Sequence, residues 1–266
     1  MAAVDPVVRD RRLIRLALGG RTFELAVGHR GAERALTRVL RFLPPARGPA
    51  TRLDLGAQVR RARGFGEILA AALRGCSVAL FPRCLLLHAA VVVAPTGAVM
   101  FVGPSGVGKT TIAMMALRLG LPVLADDIAC VRVRDRRVLP APIRLRVREP
   151  TAKLLGVARL PPAAEASPLR AIVLLGAGAR SLAEVLGAQT LSTELPAERR
   201  WELVAQLAHL IEGVPIRRLP RLTLHGPRAA RGVERLRSLF AELGVEPRRI
   251  ARAIRTGPGR ASRGSA

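Results

Sequence analysis

Gly103-Pro104-Ser105-Gly106-Val107-Gly108-Lys109-Thr110 meets the pattern G-x-x-x-x-G-K-[ST] at every fixed position, and the rest of the chain is read outward from it. The apolar run Ala98-Val99-Met100-Phe101-Val102 before it predicts a buried strand, and Thr111-Ile112-Ala113-Met114-Met115-Ala116-Leu117 after it predicts a helix. Strand, glycine-rich turn and helix, in that order, are the setting in which such a loop binds phosphate. Glycines at 103, 106 and 108 let backbone N–H groups turn inward where a Cβ would obstruct them. The helix N-terminus adds unpaired donors and its positive dipole end. Residues 103 to 111 are therefore the expected nucleotide contacts, with Lys109 on the β and γ phosphates, the Thr110 hydroxyl on Mg²⁺, and Thr111 in the first helical turn. The plainer alternative is a glycine-rich turn that holds no ligand.

Upstream, Leu85-Leu86-Leu87-His88-Ala89-Ala90-Val91-Val92-Val93 predicts one strand, and Ala94-Pro95-Thr96-Gly97 a turn into the strand that feeds the loop. The expected hairpin is unusual, since most phosphate-loop proteins place a parallel, helix-connected strand there. Downstream, Leu121-Pro122-Val123-Leu124-Ala125 predicts a short strand ending in Asp126 and Asp127, only 17 and 18 positions past Lys109. Paired carboxylates there suit phosphoryl transfer: one accepts the proton of an attacking hydroxyl, the other holds Mg²⁺. Two acids at a strand end also occur as a solvated turn or a helix cap. A lone histidine on an apolar strand is commonly structural, but the turn at 94 to 97 folds His88 back toward the loop and makes it a candidate. His29, His209 and His225 lack such a context.

Half of the 266 residues are hydrophobic, enough for a sizeable core. Arg83, Cys84 and His88 interrupt the most apolar region, no secretory pattern opens the chain, and a cytoplasmic protein without a membrane span is expected. Cys76, Cys84 and Cys130 are an odd number without C-x-x-C spacing, which points to buried thiols rather than a disulfide framework or a zinc site. The formal net charge is +25, yet only two of the 44 basic residues are lysines. Arginines spread through every predicted element, with abundant Ala, Gly and Pro, fit the codon bias of a G+C-rich genome. The rival reading is a field for an acidic partner such as nucleic acid. With no Tyr, one Trp and six Phe, stacking platforms for single strands are not evident.

Three regions are expected: an α+β region over 1–75, a core over 76–244, and a basic, disordered tail over 245–266. The first region opens with a hairpin across Gly19-Gly20 and continues with helices near 31–43 and 64–74, separated by a Pro- and Gly-marked loop. In the core, β structure is expected over 128–147, a mobile loop over 150–168 and a strand over 171–175. A helix follows whose buried face carries Trp201, Val204, Leu207, Ala208 and Ile211, then a strand over 214–219. A last helix buries Val233, Leu236, Phe240 and Leu243.

His88-Ala89-Ala90 with its hairpin, the loop Gly103 to Thr111, and Ala125-Asp126-Asp127 at this close spacing resemble the catalytic core of HPr serine kinase/phosphorylase. The resemblance is greater to the shorter bacterial HPr-kinase-related proteins, some of which sit in biosynthetic clusters for ribosomal peptides such as lasso peptides. It is clear over residues 84 to 134, is weaker to about 220, where Pro142-Ile143-Arg144-Leu145 and Gly213-Val214-Pro215 contribute, and leaves residues 1 to 60 unexplained. It implies an α/β fold with the mixed-sheet nucleotide core of the phosphoenolpyruvate-carboxykinase-like type. It further implies ATP and Mg²⁺ as cofactors, Lys109 on phosphate, Asp126 as catalytic base, and Asp127 and His88 supporting metal and phosphate. The implied reaction moves a γ-phosphoryl group to a hydroxyl, of a serine in a peptide or small protein, with Arg144 or Arg146 as a further phosphate or acceptor contact. No counterpart of the Glu-Ile-Arg-Gly-type signature of true HPr kinases is recognisable, so the resemblance does not extend to HPr as substrate or to the reverse reaction. An ATP-binding switch protein, a nucleic-acid-associated NTPase, and a homo-oligomeric state stand as alternatives or additions.

Overall fold

Residues Leu13–Leu18 alternate between solvent and core, as a strand with one solvated face must. This is β1, and it pairs antiparallel with β2 (Arg21–Ala26) across Gly19 and Gly20, both at positive φ as a tight hairpin turn demands. The computed structural model describes residues 13–28, 30–40, 43, 45–141, 165–176, 178, 180–191, 195–222 and 229–255. After α1 (Arg30–Leu40), β3 (Ala50–Asp54) joins β2 in parallel, completing a three-stranded sheet. α2 (Gly56–Arg61) and α3 (Phe65–Leu80) follow.

The central, eight-stranded sheet is built from β4 (Cys84–Leu87), β5 (Ala89–Ala94), β6 (Gly97–Val102), β7 (Val123–Ala125), β8 (Ala129–Arg132), β9 (Arg137–Leu139), β10 (Ser167–Leu175) and β11 (Ile216–Leu219). Its path is β4-β8-β9-β10-β6-β5-β7, with β11 on the remaining edge of β10. The helices are α4 (Lys109–Arg118) directly after the glycine-rich loop, α5 (Leu182–Gln189), α6 (Arg200–Ile211), α7 (Ala229–Glu242) and α8 (Pro247–Arg255). β6, β10 and β11 run parallel, whereas β5 is antiparallel to both β6 and β7. The protein is α/β with mixed sheets.

Alternation explains the layering. Ala89 and Val91 of β5, Met100 and Val102 of β6, and Ile172 and Leu174 of β10 bury on one face, in a cluster continuous with β1, β2, α3 and α6. Ala90, Val92, Val99, Phe101, Val173 and Leu175 bury on the other, against α4, α7 and α8. Strands covered on both faces read as unbroken apolar runs, which is the pattern of residues 89–94 and 97–102. Among the described residues no helix is long and apolar enough to cross a membrane.

Several expectations need correction. The run 85–93 is two strands broken at His88: β4 pairs with β8, whereas β5 pairs with β6 and β7. A boundary at residue 75 falls inside α3, whose Cys76, Ser77 and Leu80 are buried in the core shared with β4. Ser167 and Pro168, assigned to a mobile loop, are strand residues paired with β9. On α6 the buried residues are Leu207 and Leu210, while Trp201 is 81% exposed and Val204 54%. Residues 245 to 255, assigned to a disordered tail, are folded: Val245, Ile250 and Ala253 bury against the α4 and α7 layer and α8 extends to Arg255. Arg144, Arg146 and most of the expected loop over 150–168 lie outside the described residues, as do residues 256–266.

Candidate active site

Strand direction gathers the site. Since β5 opposes both β6 and β7, the start of β5 lies at the same end of the sheet as the carboxyl ends of β6, β7 and β10. Ala89 is opposite Val102, and Val91 is opposite Ala125, so His88, Gly103 and Asp126-Asp127 are neighbours across strands. Crevices outside the carboxyl ends of parallel strands are where open α/β sheets bind ligands.

Two of the loop glycines are required by the protein itself. Gly103, at φ +159°, has the Leu175 carbonyl oxygen 2.3 Å from where a Cβ would stand, and Gly108, at φ +114°, has Leu222 Cβ at 2.8 Å. The Leu222 N–H donates to the Val107 carbonyl over 3.0 Å, and the Val107 side chain is buried, so 107 can offer a ligand only its backbone. Ser105 and Gly106 form the solvent-exposed crest.

Lys109 opens α4 and is 6% exposed, its Nζ donating to the carbonyls of Gly103 at 2.6 Å and Pro104 at 3.0 Å. An ammonium has three donors, so one remains for an anion. Burial lowers its pKa to about 8, against the opposing attraction of Asp127 and Asp126.

Asp126 is 2% exposed, and neither carboxylate oxygen has a hydrogen-bond partner of good geometry. Burial raises its pKa to about 7; the nearby Thr110 hydroxyl and Lys109 pull it down, and Asp127 pushes it up. Thr110, in the first turn of α4, is near enough to the carboxylate for its hydroxyl to lower the pKa. An orphaned buried carboxylate costs free energy unless something completes it. The Asp126 carboxylate and the Thr110 hydroxyl are hard oxygen donors of the kind a divalent cation takes, and the third Lys109 proton suits a phosphate oxygen.

Asp127 differs. Its side chain is 45% exposed, and His88 Nδ1 lies 2.9 Å from Asp127 Oδ1 and 2.9 Å from its backbone carbonyl. With two acceptors facing Nδ1, that nitrogen carries the proton. The His88 backbone is fixed from elsewhere: its N–H donates to Gln189 O over 2.6 Å, at the end of α5, a helix started by a capping box between Ser181 and Glu184. Gln189, Leu175 and Leu222 all support the site, and only the Pro220 stop before Leu222 hints at any of them in the sequence.

All the candidate residues at Lys109, Thr110, Asp126, Asp127 and His88 thus meet at one end of the sheet. No protein-family model matches this chain, and no curated protein matches it.

Proposed function

We propose that this chain is an ATP- and Mg²⁺-dependent kinase of the HPr-kinase-related type, transferring the γ-phosphoryl group to the hydroxyl of a serine in a peptide or small protein. The observation that carries the reading is the buried Asp126 beside Thr110 and Lys109, without a well-formed hydrogen bond among the described residues, with the half-buried Asp127–His88 pair next to it. A glycine-rich turn without a ligand has no use for a carboxylate that burial destabilises.

Burial favours a division of labour opposite to the one the resemblance implied. Asp126, closed off beside Thr110, suits the metal; Asp127, open to solvent and oriented by His88, suits a base that a peptide hydroxyl must reach. In this account the loop amides and the third Lys109 proton bind phosphate oxygens, and Asp127 takes the proton of the serine hydroxyl as its oxygen attacks phosphorus and ADP departs. Asp126 and Thr110 would hold Mg²⁺, which would supply neutralisation of phosphate charge during the transfer. We also place the reaction in the cytoplasm, where ATP is supplied.

Incubation with ATP labelled at the γ position and serine-containing peptides tests the proposal. Labelled peptide is the expected product. Free phosphate without labelled peptide would make the protein an ATPase, and nucleotide bound but unchanged would make it a switch.

A further inference from the structure

β11 is an edge of the central sheet among the described residues, and it leads straight to the glycine-rich loop. The carbonyls of Pro215 and Leu219 accept from β10, at Ile172 and Gly176 respectively. By strand alternation, Ile216 and Arg218 turn their backbone groups to the open side. Three residues beyond Leu219, Leu222 bonds to Val107 of the loop. Beside this edge lies a groove of about 570 Å³ between β11 and α7, floored by Val173, Leu219 and Leu239. Its walls carry Arg217, Arg218, Arg231 and Arg235, against Glu234 and Glu242. Both carboxylates are already engaged, Glu242 by Arg217 and Glu234 by Arg237 at 3.4 Å. Among the described residues, Arg231 and Arg235, one helical turn apart on the exposed side of α7, have no carboxylate partner.

We propose that this groove docks an extended acidic segment of the acceptor peptide, which adds as a strand to β11 and is thereby led toward the glycine-rich loop. An open strand edge supplies backbone hydrogen bonds, and the unpaired arginines select acidic side chains beside it. A peptide fits better than nucleic acid: no aromatic residue lines the groove to stack a base, and a strand edge offers backbone hydrogen bonds that only a polypeptide returns. The inference rests on the kinase reading for the word acceptor, and on the geometry alone for the docking.

Fluorescence anisotropy with a labelled serine-containing peptide rich in Glu and Asp tests it, alongside the same peptide with lysines in place of the acids and a single-stranded oligonucleotide. The acidic peptide binds about tenfold or more tighter than its lysine counterpart, and added salt weakens it. The double variant R231E/R235E and, separately, Arg218→Pro, which removes an outward N–H, each weaken acidic-peptide binding about tenfold while a fluorescent ATP analogue binds as before. Equal affinity for both peptides, wild-type binding in the variants, or tighter binding of the oligonucleotide would overturn the proposal. A peptide that docks but is never phosphorylated sinks the kinase reading and upholds the groove; phosphorylation with unchanged KM in both variants sinks the groove alone.

Discussion

The two ends of the central sheet are made by the same strands and hold different chemistry. At one end, the last residues of β6, β7 and β10 and the first of β5 bring Lys109, Asp126, Asp127 and His88 together. At the other, β5 turns into β6 through Pro95 and Thr96, and the contacts are structural: Arg170 Nε donates to the Thr96 carbonyl over 3.2 Å, and Pro95 lies against Gly244. Both ends contain glycines at positive φ that a Cβ would jam, Gly103 and Gly108 at the first and Gly97 at the second. A strained glycine is therefore no marker of a site. What sets the first end apart is a buried carboxylate, Asp126, beside the buried ammonium of Lys109, an arrangement that folding tolerates at a cost and that a ligand can complete.

The largest effect expected from breaking this contrast is at Lys109. Lys109→Ala should lower phosphoryl transfer by about 10³-fold, because it removes a preorganised donor from the phosphates, while the protein stays folded. Circular dichroism and a transfer assay on the same sample check both halves; undiminished transfer would take the loop out of the chemistry. At the far end, Gly97→Ala should act in the opposite sense. With φ at +129° and Pro168 O only 2.8 Å from the new Cβ, it should cost about 1–3 kcal/mol of stability and leave the turnover of folded protein unchanged. Denaturant unfolding beside active-site-normalised rates decides it, and a slowed but equally stable variant would contradict the division.

A smaller effect sharpens the contrast through pH. The carboxyl of Asp126 is held at about 7 in the fold, above its ordinary 3.8, so the folded state binds the extra proton between those values. Its contribution to stability is complete below about pH 4 and is lost as pH rises toward 7. Without Mg²⁺ or nucleotide, Asp126→Asn should flatten that decline and melt higher than the parent at pH 8. Thermal melts of both proteins from pH 4 to 8 test this, and parallel curves would show that Asp126 is not held protonated by burial.

The site end was largely legible because its elements are local: the apolar strand, glycine pattern and helix lie within residues 97 to 118, and the turn into β6 is marked by Pro95 and Gly97. What the sequence concealed was non-local. Nothing between Leu87 and Ala89 marks a strand end, and the break at His88 comes from Gln189, a hundred residues away, taking its N–H. β3 reads as a loop because three of its five residues are exposed and its stability comes from parallel pairing with β2. In α6, apolar residues occur on more than one face, and the spacing that selected Trp201 and Val204 passed over Leu210, which is fully buried. α8 holds its place with Ile250 and Ala253 among four arginines, a seam too narrow to distinguish from a basic tail. Nor does the sequence tell the two acids apart: adjacent in the chain, they differ only in what the fold places around them, Asp126 being buried and Asp127 lying beside His88.

The central claim is that Asp126 serves the metal and Asp127 the proton, and it is tested most directly by measuring transfer rate against Mg²⁺ concentration for Asp126→Asn and Asp127→Asn, with nucleotide affinity measured in parallel. The account predicts that Asp126→Asn shifts the half-maximal Mg²⁺ concentration upward, whereas Asp127→Asn lowers the saturated rate by roughly 10²–10⁴ with little change in Mg²⁺ dependence or ATP affinity. Exchanged phenotypes would return the base to Asp126, and two variants with parental kinetics would contradict the kinase reading itself.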